Sequence, residues 1–115
     1  MADCLFCKIV AGEIPAKVVK RTDYAVAFQD IDPQAPTHVL VIPVRHLAAV
    51  REFQGQEGEL LLGKLLTFTA ELATELGIDR SGYRIVTNTG PDARQSVDHL
   101  HFHLIGGRKM GWPPG

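Results

Sequence analysis

The chain has 115 residues and a mass of 12.6 kDa, a length that holds one domain over residues 1–115. Twelve Lys and Arg against 13 Asp and Glu give a formal net charge of −1. That balance argues against a nucleic-acid binder, where a basic excess is usual, and against an acidic tail. Hydrophobic residues make up 45%, enough for a core without disulfide staples. No apolar run approaches the roughly 18 residues of a membrane span, and the run Val39 to Val44 is interrupted by Pro43. The opening Met1-Ala2-Asp3-Cys4 has no basic region and no signal-peptide core, so a cytoplasmic protein with no membrane partner is expected.

Asp3 is the expected N-cap of a short helix, Cys4 to Ala11, closed by Gly12, and Pro15 bars its continuation. Val18 and Val19 predict a short strand. Tyr24 to Asp30 alternates Tyr24, Val26 and Phe28 against Ala25, Ala27 and Gln29, the pattern of a second strand. Thr37 to Ile42 is rich in β-branched residues and ends at Pro43, a third. The clearest helix runs from about Glu57 to Leu76. Leu61, Leu65, Phe68 and Leu72 recur at helical spacing, Leu62 and Leu66 widen the stripe, and Gly77 is a natural stop. Tyr83 to Asn88 predicts a fourth strand and His99 to Ile105 a fifth, closed by Gly106-Gly107. The order β-β-β-α-β-β predicts an α+β domain with a mostly antiparallel sheet.

Three of the five histidines, His99, His101 and His103, alternate along the last strand. They share one face while Leu100, Phe102 and Leu104 take the other. The apolar face explains the strand as core, but it does not explain three imidazoles in a row. Such a row suits an active site for phosphoryl groups or a metal site, against the plainer reading of a polar strand face. The loop before it, Asn88-Thr89-Gly90-Pro91-Asp92 and then Arg94-Gln95-Ser96, offers an amide, a guanidinium and a hydroxyl. That is either an anion-binding environment without a Walker-type loop or an ordinary polar loop. Asp30 could accept ribose hydroxyls, although Asp30-Ile31-Asp32-Pro33 reads first as a turn. Cys4 and Cys7 lie three apart, so on a helix both thiols reach one point. They read as a redox pair, as half of a metal site completed by histidines, or as two small buried side chains.

His99-Leu100-His101-Phe102-His103-Leu104-Ile105 resembles the histidine triad of the HIT superfamily, His-x-His-x-His followed by two apolar residues. Further runs resemble the superfamily's histidine-triad nucleotide-binding branch: Phe6-x-Lys8-Ile9, Glu13-Ile14-Pro15-Ala16-Lys17, Phe28-x-Asp30-Ile31, Pro33-Gln34-Ala35-Pro36-Thr37-His38, Leu40-Val41-Ile42-Pro43, Gln95-Ser96-Val97 and Trp112-Pro113-Pro114-Gly115. They come in order and cover essentially the whole chain. The resemblance implies a five-stranded antiparallel sheet per subunit, one long and one short helix, and a homodimer with a continuous ten-stranded sheet. It implies a hydrolase of adenosine 5′-phosphoramidates, acting on purine nucleotide substrates and needing no cofactor for catalysis.

Carried onto this chain, the resemblance makes His101 the nucleophile that attacks the α-phosphorus and forms a nucleotidyl-histidine. The carbonyl of His99 would hold the Nδ1–H of His101, His103 would hold phosphate oxygens, Ser96 would help the leaving group, and His38 would stand behind the row. Asn88, Arg94 and Gln95 would contact phosphate. Asp30 would bind the ribose, with Leu5, Phe6, Phe28 and Ile31 lining the purine slot. It also implies a structural Zn²⁺ site of Cys4, Cys7, His46 and His99, which would fix the N-terminal helix over the active-site strand and orient the backbone around His101.

Three positions depart from the branch. Asp98 stands where an aromatic residue is common, Arg94 where Gly is common, and Gln29 where some relatives have His; each bears on substrate preference. The competing functions are a dinucleoside polyphosphate hydrolase and a nucleotide- or zinc-binding regulatory module with incidental hydrolysis. A zinc-storage protein would leave Asp30, Asn88 and Ser96 unexplained.

Overall fold

The structure is a computed structural model that describes residues 4–115. The expected N-cap Asp3 lies outside the described residues. The chain runs α1 (Leu5–Val10), β1 (Val18–Arg21), β2 (Ala25–Gln29), β3 (Thr37–Pro43), a single 3-10 turn (Val50–Glu52), α2 (Gly55–Glu75), β4 (Tyr83–Val86) and β5 (Phe102–Gly106). The five strands form one sheet in the order β1-β2-β3-β5-β4, and every neighbouring pair is antiparallel. The α+β class with a five-stranded antiparallel sheet and one long and one short helix is therefore the fold this sequence adopts.

β3 is the centre of the sheet and both its faces are covered. Val39 and Val41 pack with Ala25, Ala27, Phe102 and Leu104 and with Leu65, Phe68 and Leu72 of α2. Leu40 and Ile42 turn the other way and pack with Val26, Phe28 and Phe6 of α1. Burying each such aliphatic or aromatic side chain contributes about 1.5–3 kcal/mol. α2 stops where Gly77 adopts φ 77°, donating its N–H to Thr74 while Ile78 donates to Ala73, both at 3.0 Å. Leu66, counted in the apolar stripe, is exposed, because the helix meets the sheet along Leu65, Phe68 and Leu72.

Three expected strands are shorter than their patterns: β2 loses Tyr24 and Asp30 at its ends, and β4 and β5 each lose residues at one end. β5 joins the ladder only at Phe102, since the backbone before it is engaged elsewhere. The Leu100 N–H donates to the Leu47 carbonyl at 2.6 Å, the His99 carbonyl accepts from His101 Nδ1, and the His101 carbonyl accepts from Thr87 Oγ1 at 3.1 Å. β4 ends at Val86, because Thr87 spends its hydroxyl on that same carbonyl instead of extending the pairing to Asn88. α1 begins at Leu5, with Cys4 as its N-cap accepting the Cys7 N–H on Sγ at 3.4 Å. No described helix is long and apolar enough to cross a membrane.

Candidate functional site

The register Leu40↔His103 sets the histidine row on the α1 side of the sheet. His99 and His101 are fully buried and His103 is half-buried. Neighbours fix the nitrogen assignment of each ring, and His101 is opposite to His99 and His103.

His99 donates from Nε2 to the Pro43 carbonyl at 2.9 Å, which leaves Nδ1 with its lone pair. Burial holds this imidazole below the usual histidine range, with His46 and His101 adding to the effect against the raising influence of the Pro43 carbonyl. Its Nδ1 lies 3.4 Å from Cys4 Sγ, 3.6 Å from Cys7 Sγ and 3.2 Å from His46 Nδ1, and Cys7 Sγ lies 3.2 Å from His46 Nδ1. Burial and the neighbouring Cys4 push the Cys7 thiol up. All four donor atoms lie within 4.8 Å of one another. A zinc ion with bonds of about 2.0–2.1 Å to N and about 2.3 Å to S, at tetrahedral angles, would hold its donors roughly 3.3–3.8 Å apart. The four residues thus fit a structural Zn²⁺, and the Pro43 carbonyl supplies the outer hydrogen bond that fixes a ligating tautomer. Four protein donors would close the coordination shell.

His101 has the opposite assignment. Its Nδ1–H donates to the His99 carbonyl at 2.8 Å, so the lone pair is on Nε2. The ring stands edge-to-face with Phe6, centroids 5.1 Å apart, and 5.1 Å from the ring of His103.

His103 is reached through His38. The Gln34 N–H donates to His38 Nδ1 at 3.0 Å, so that nitrogen carries no proton and the proton of the neutral ring sits on Nε2. His38 Nε2 lies 2.9 Å from His103 Nδ1 and 3.3 Å from Asp30 Oδ2. His103 therefore accepts on Nδ1 and carries its own proton on Nε2, free to donate. Burial, with His101 and His38 alongside, pushes its pKa down to about 4, so the ring is neutral near pH 7. Asp30 is a turn residue as well: its Oδ1 accepts the Asp32 N–H at 2.8 Å.

A cavity of about 500 Å³ opens between α1, residues 14–17 and the end of β2. That is the size of a small-molecule pocket. Leu5, Phe6, Phe28, Asp30 and Ile31 line it, as does Gln29. Ile9, Ile14, Pro15, Ala16, Lys17 and Leu40 line it too, and the residue pattern did not single these out. For Ile14, Pro15 and Ala16 the signal was their apolar run, which belongs to no helix or strand that would bury it. The histidine row stands beside this cavity: Phe6 touches His101, and Asp30 touches His38.

The loop between β4 and β5 carries the remaining expected residues. Asn88 is half-buried, and Arg94 and Ser96 are exposed. Gln95 is fully engaged within the protein. Its Oε1 accepts the Gly90 N–H at 3.0 Å, and its Nε2 donates to the carbonyls of Ala48 at 2.8 Å and Val97 at 3.1 Å. It ties the loop carrying Ser96 to the segment carrying His46. Arg94 adopts φ 61°, the left-handed region where glycine costs least, which is why glycine suits this position.

Residues 11–110 match the family model described as the HIT domain. The chain is 49% identical over 115 residues to a protein of Brassica juncea described as a 14 kDa zinc-binding protein, covering 98% of this chain and 100% of that one. A HIT family hydrolase from Legionella pneumophila Philadelphia 1 superposes with a TM-score of 0.93 at 47% identity, covering 98% of this chain and 100% of the other. A histidine triad nucleotide-binding protein from Candida albicans superposes at 0.82 with 36% identity, covering 96% of this chain and 83% of the other.

Proposed function

The chain belongs to the HIT domain family, and from that premise we propose that it hydrolyses purine nucleoside 5′-phosphoramidates through a covalent nucleotidyl-histidine on His101. The observation that carries this reading is the 2.8 Å hydrogen bond from His101 Nδ1 to the His99 carbonyl, which leaves Nε2 as the basic nitrogen of a buried ring beside a nucleoside-sized cavity.

The cavity takes the purine between Leu5, Phe6, Phe28 and Ile31, and the Asp30 carboxylate takes the ribose hydroxyls. His101 Nε2 attacks the α-phosphorus in line with the P–N bond. The amine departs with a proton relayed from solvent through the exposed Ser96 hydroxyl, and phosphorus stays on Nε2. His103 donates its Nε2–H to a phosphate oxygen, a role its assigned proton suits, with Asn88 and Arg94 at the same group. Water then attacks the phosphorus, the N–P bond breaks, AMP leaves, and the proton of the water goes to solvent. Splitting one displacement into two gives each step a good leaving group. Gln95 serves this chemistry as a brace for the loop, since its amide is already spent.

We also propose a homodimer. β4 is an edge strand with half-buried side chains, while Leu60 and Leu66 of α2 and Trp112 are exposed. Sizing at twice 12.6 kDa tests this reading. The two unpaired thiols agree with a reducing, cytoplasmic setting.

The experiment is AMP release from adenosine 5′-phosphoramidate by the zinc-supplemented native chain and its His101→Ala variant, with diadenosine polyphosphates in parallel. Turnover of the amidate by the native chain alone is expected. Preferential turnover of the diadenosine substrates would instead make it a dinucleoside polyphosphate hydrolase.

A further inference from the structure

We infer that the Cys/His cluster and the nucleotide cavity are thermodynamically coupled through α1 and His99, so that zinc and a nucleoside monophosphate each tighten the binding of the other. The inference rests on the nucleotide reading of the cavity proposed above and adds a regulatory link to it.

α1 is six residues long and serves both sites. Its N-cap Cys4 and its Cys7 belong to the donor cluster, while Leu5, Phe6 and Ile9 wall the cavity. A helix this short is not stable by itself and takes its position from what anchors it. Its anchor is Phe6, in the first turn, which is buried and meets three rings. These are His99 of the cluster at 5.9 Å, His101 of the histidine row at 5.1 Å and Phe28 of the cavity at 5.6 Å between centroids. His99 is the second link. Its Nδ1 faces the thiols, and its carbonyl receives the Nδ1–H of His101.

An ion held by the four donors fixes both α1 and the peptide of His99. It thereby sets one wall of the cavity and the acceptor that orients the nucleophile. A nucleotide in the cavity orders the same helix from its other side. Whichever ligand arrives second meets a helix already ordered and loses less conformational freedom in binding. Cys4, Cys7 and His46 are in this sense positioning residues for the nucleotide site, although none of them lines the cavity. Linkage requires the two effects to be equal, and couplings of this kind span about 5- to 150-fold.

The test is calorimetric titration of AMP into the full chain, zinc-loaded and chelator-stripped, with zinc competition against a chromophoric chelator with and without saturating AMP. The expected result is an AMP Kd at least about five-fold lower in the loaded protein, with zinc affinity raised by AMP by the same factor. If the stripped protein loses its helical far-UV signal, His46→Ala replaces it. That variant leaves both thiols and every cavity residue in place, so zinc and AMP affinities should weaken together. Equal AMP Kd values with and without zinc, or weakened zinc binding in His46→Ala with AMP binding unchanged, overturn the coupling alone. Failure to bind zinc at micromolar concentration overturns it as well. AMP binding by neither form overturns the nucleotide reading itself, and the coupling with it.

Discussion

At the thiol end of the histidine row, His99 donates from Nε2 to Pro43 and turns Nδ1 toward Cys4; two residues on, His101 donates from Nδ1 to His99 and keeps Nε2 free. The same side chain on the same strand face has been given opposite chemistry. The difference lies in which backbone carbonyl each ring finds. Pro43 ends β3 and stands opposite His99, while the peptide of His99 has left the ladder and is open to His101. The late start of β5, at Phe102, is thus what gives the two rings opposite free nitrogens.

The largest effect is expected of His101→Ala. Turnover of adenosine 5′-phosphoramidate should fall by at least about 10³-fold, while zinc content measured by chelator competition stays that of the native chain. Cys7→Ser attacks the other end. With zinc at 100 times its Kd the native chain gains about 2.7 kcal/mol, and the variant should forfeit that increment, read as a lower thermal midpoint that added zinc no longer raises. Gln95→Glu strains the strap between the two ends by setting carboxylate oxygens against the carbonyls of Ala48 and Val97. A loss of about 1–3 kcal/mol in urea denaturation is expected.

A milder probe is pH. The folded His103 titrates near pH 4, against about 6.5 for an unfolded histidine. Between those values the unfolded chain binds a proton that the folded one refuses, so stability falls as pH drops from about 6.5 toward about 4. Buried His99 is depressed too and acts in the same sense. The urea midpoint should fall across this window, and less steeply in His103→Gln. The smallest effect is expected of Arg94→Gly, which relieves the left-handed conformation of Arg94. It should stabilise by about 0.5–1 kcal/mol, since the relief of about 1–2 kcal/mol is partly offset by the freedom glycine gains when unfolded.

The elements were legible because periodicity and punctuation agreed. Leu65, Phe68 and Leu72 mark the buried side of α2, and Gly77 ends it. The alternation of His99, Leu100, His101 and Phe102 predicts the two faces, and the structure has Leu100 and Phe102 in the core with α2. The limits of β4 and β5 were not legible, because they depend on Leu47 and Thr87, whose bonds to Leu100 and His101 join residues outside any local pattern. The thiol cluster was suggested by spacing at Cys4 and Cys7. Its partners His46 and His99 came only from the resemblance, and they lie within reach of both thiols. Ile14, Pro15 and Ala16 were missed as cavity walls, since a loop carries no period to reveal which way it faces. The Gln95 brace was missed for a related reason. A glutamine beside Ser96 suggests a phosphate contact by type, and only the positions of Gly90, Ala48 and Val97 show its amide to be spent.

Stereochemistry at phosphorus reports whether the proposed covalent bond to His101 Nε2 forms. An adenosine 5′-phosphoramidate carrying sulfur in place of one non-bridging oxygen, in a single configuration at phosphorus, is hydrolysed in heavy-oxygen water and the configuration of the product is determined. Two in-line displacements through the histidine predict net retention. Net inversion would mean that water attacks the substrate directly, with no histidine intermediate.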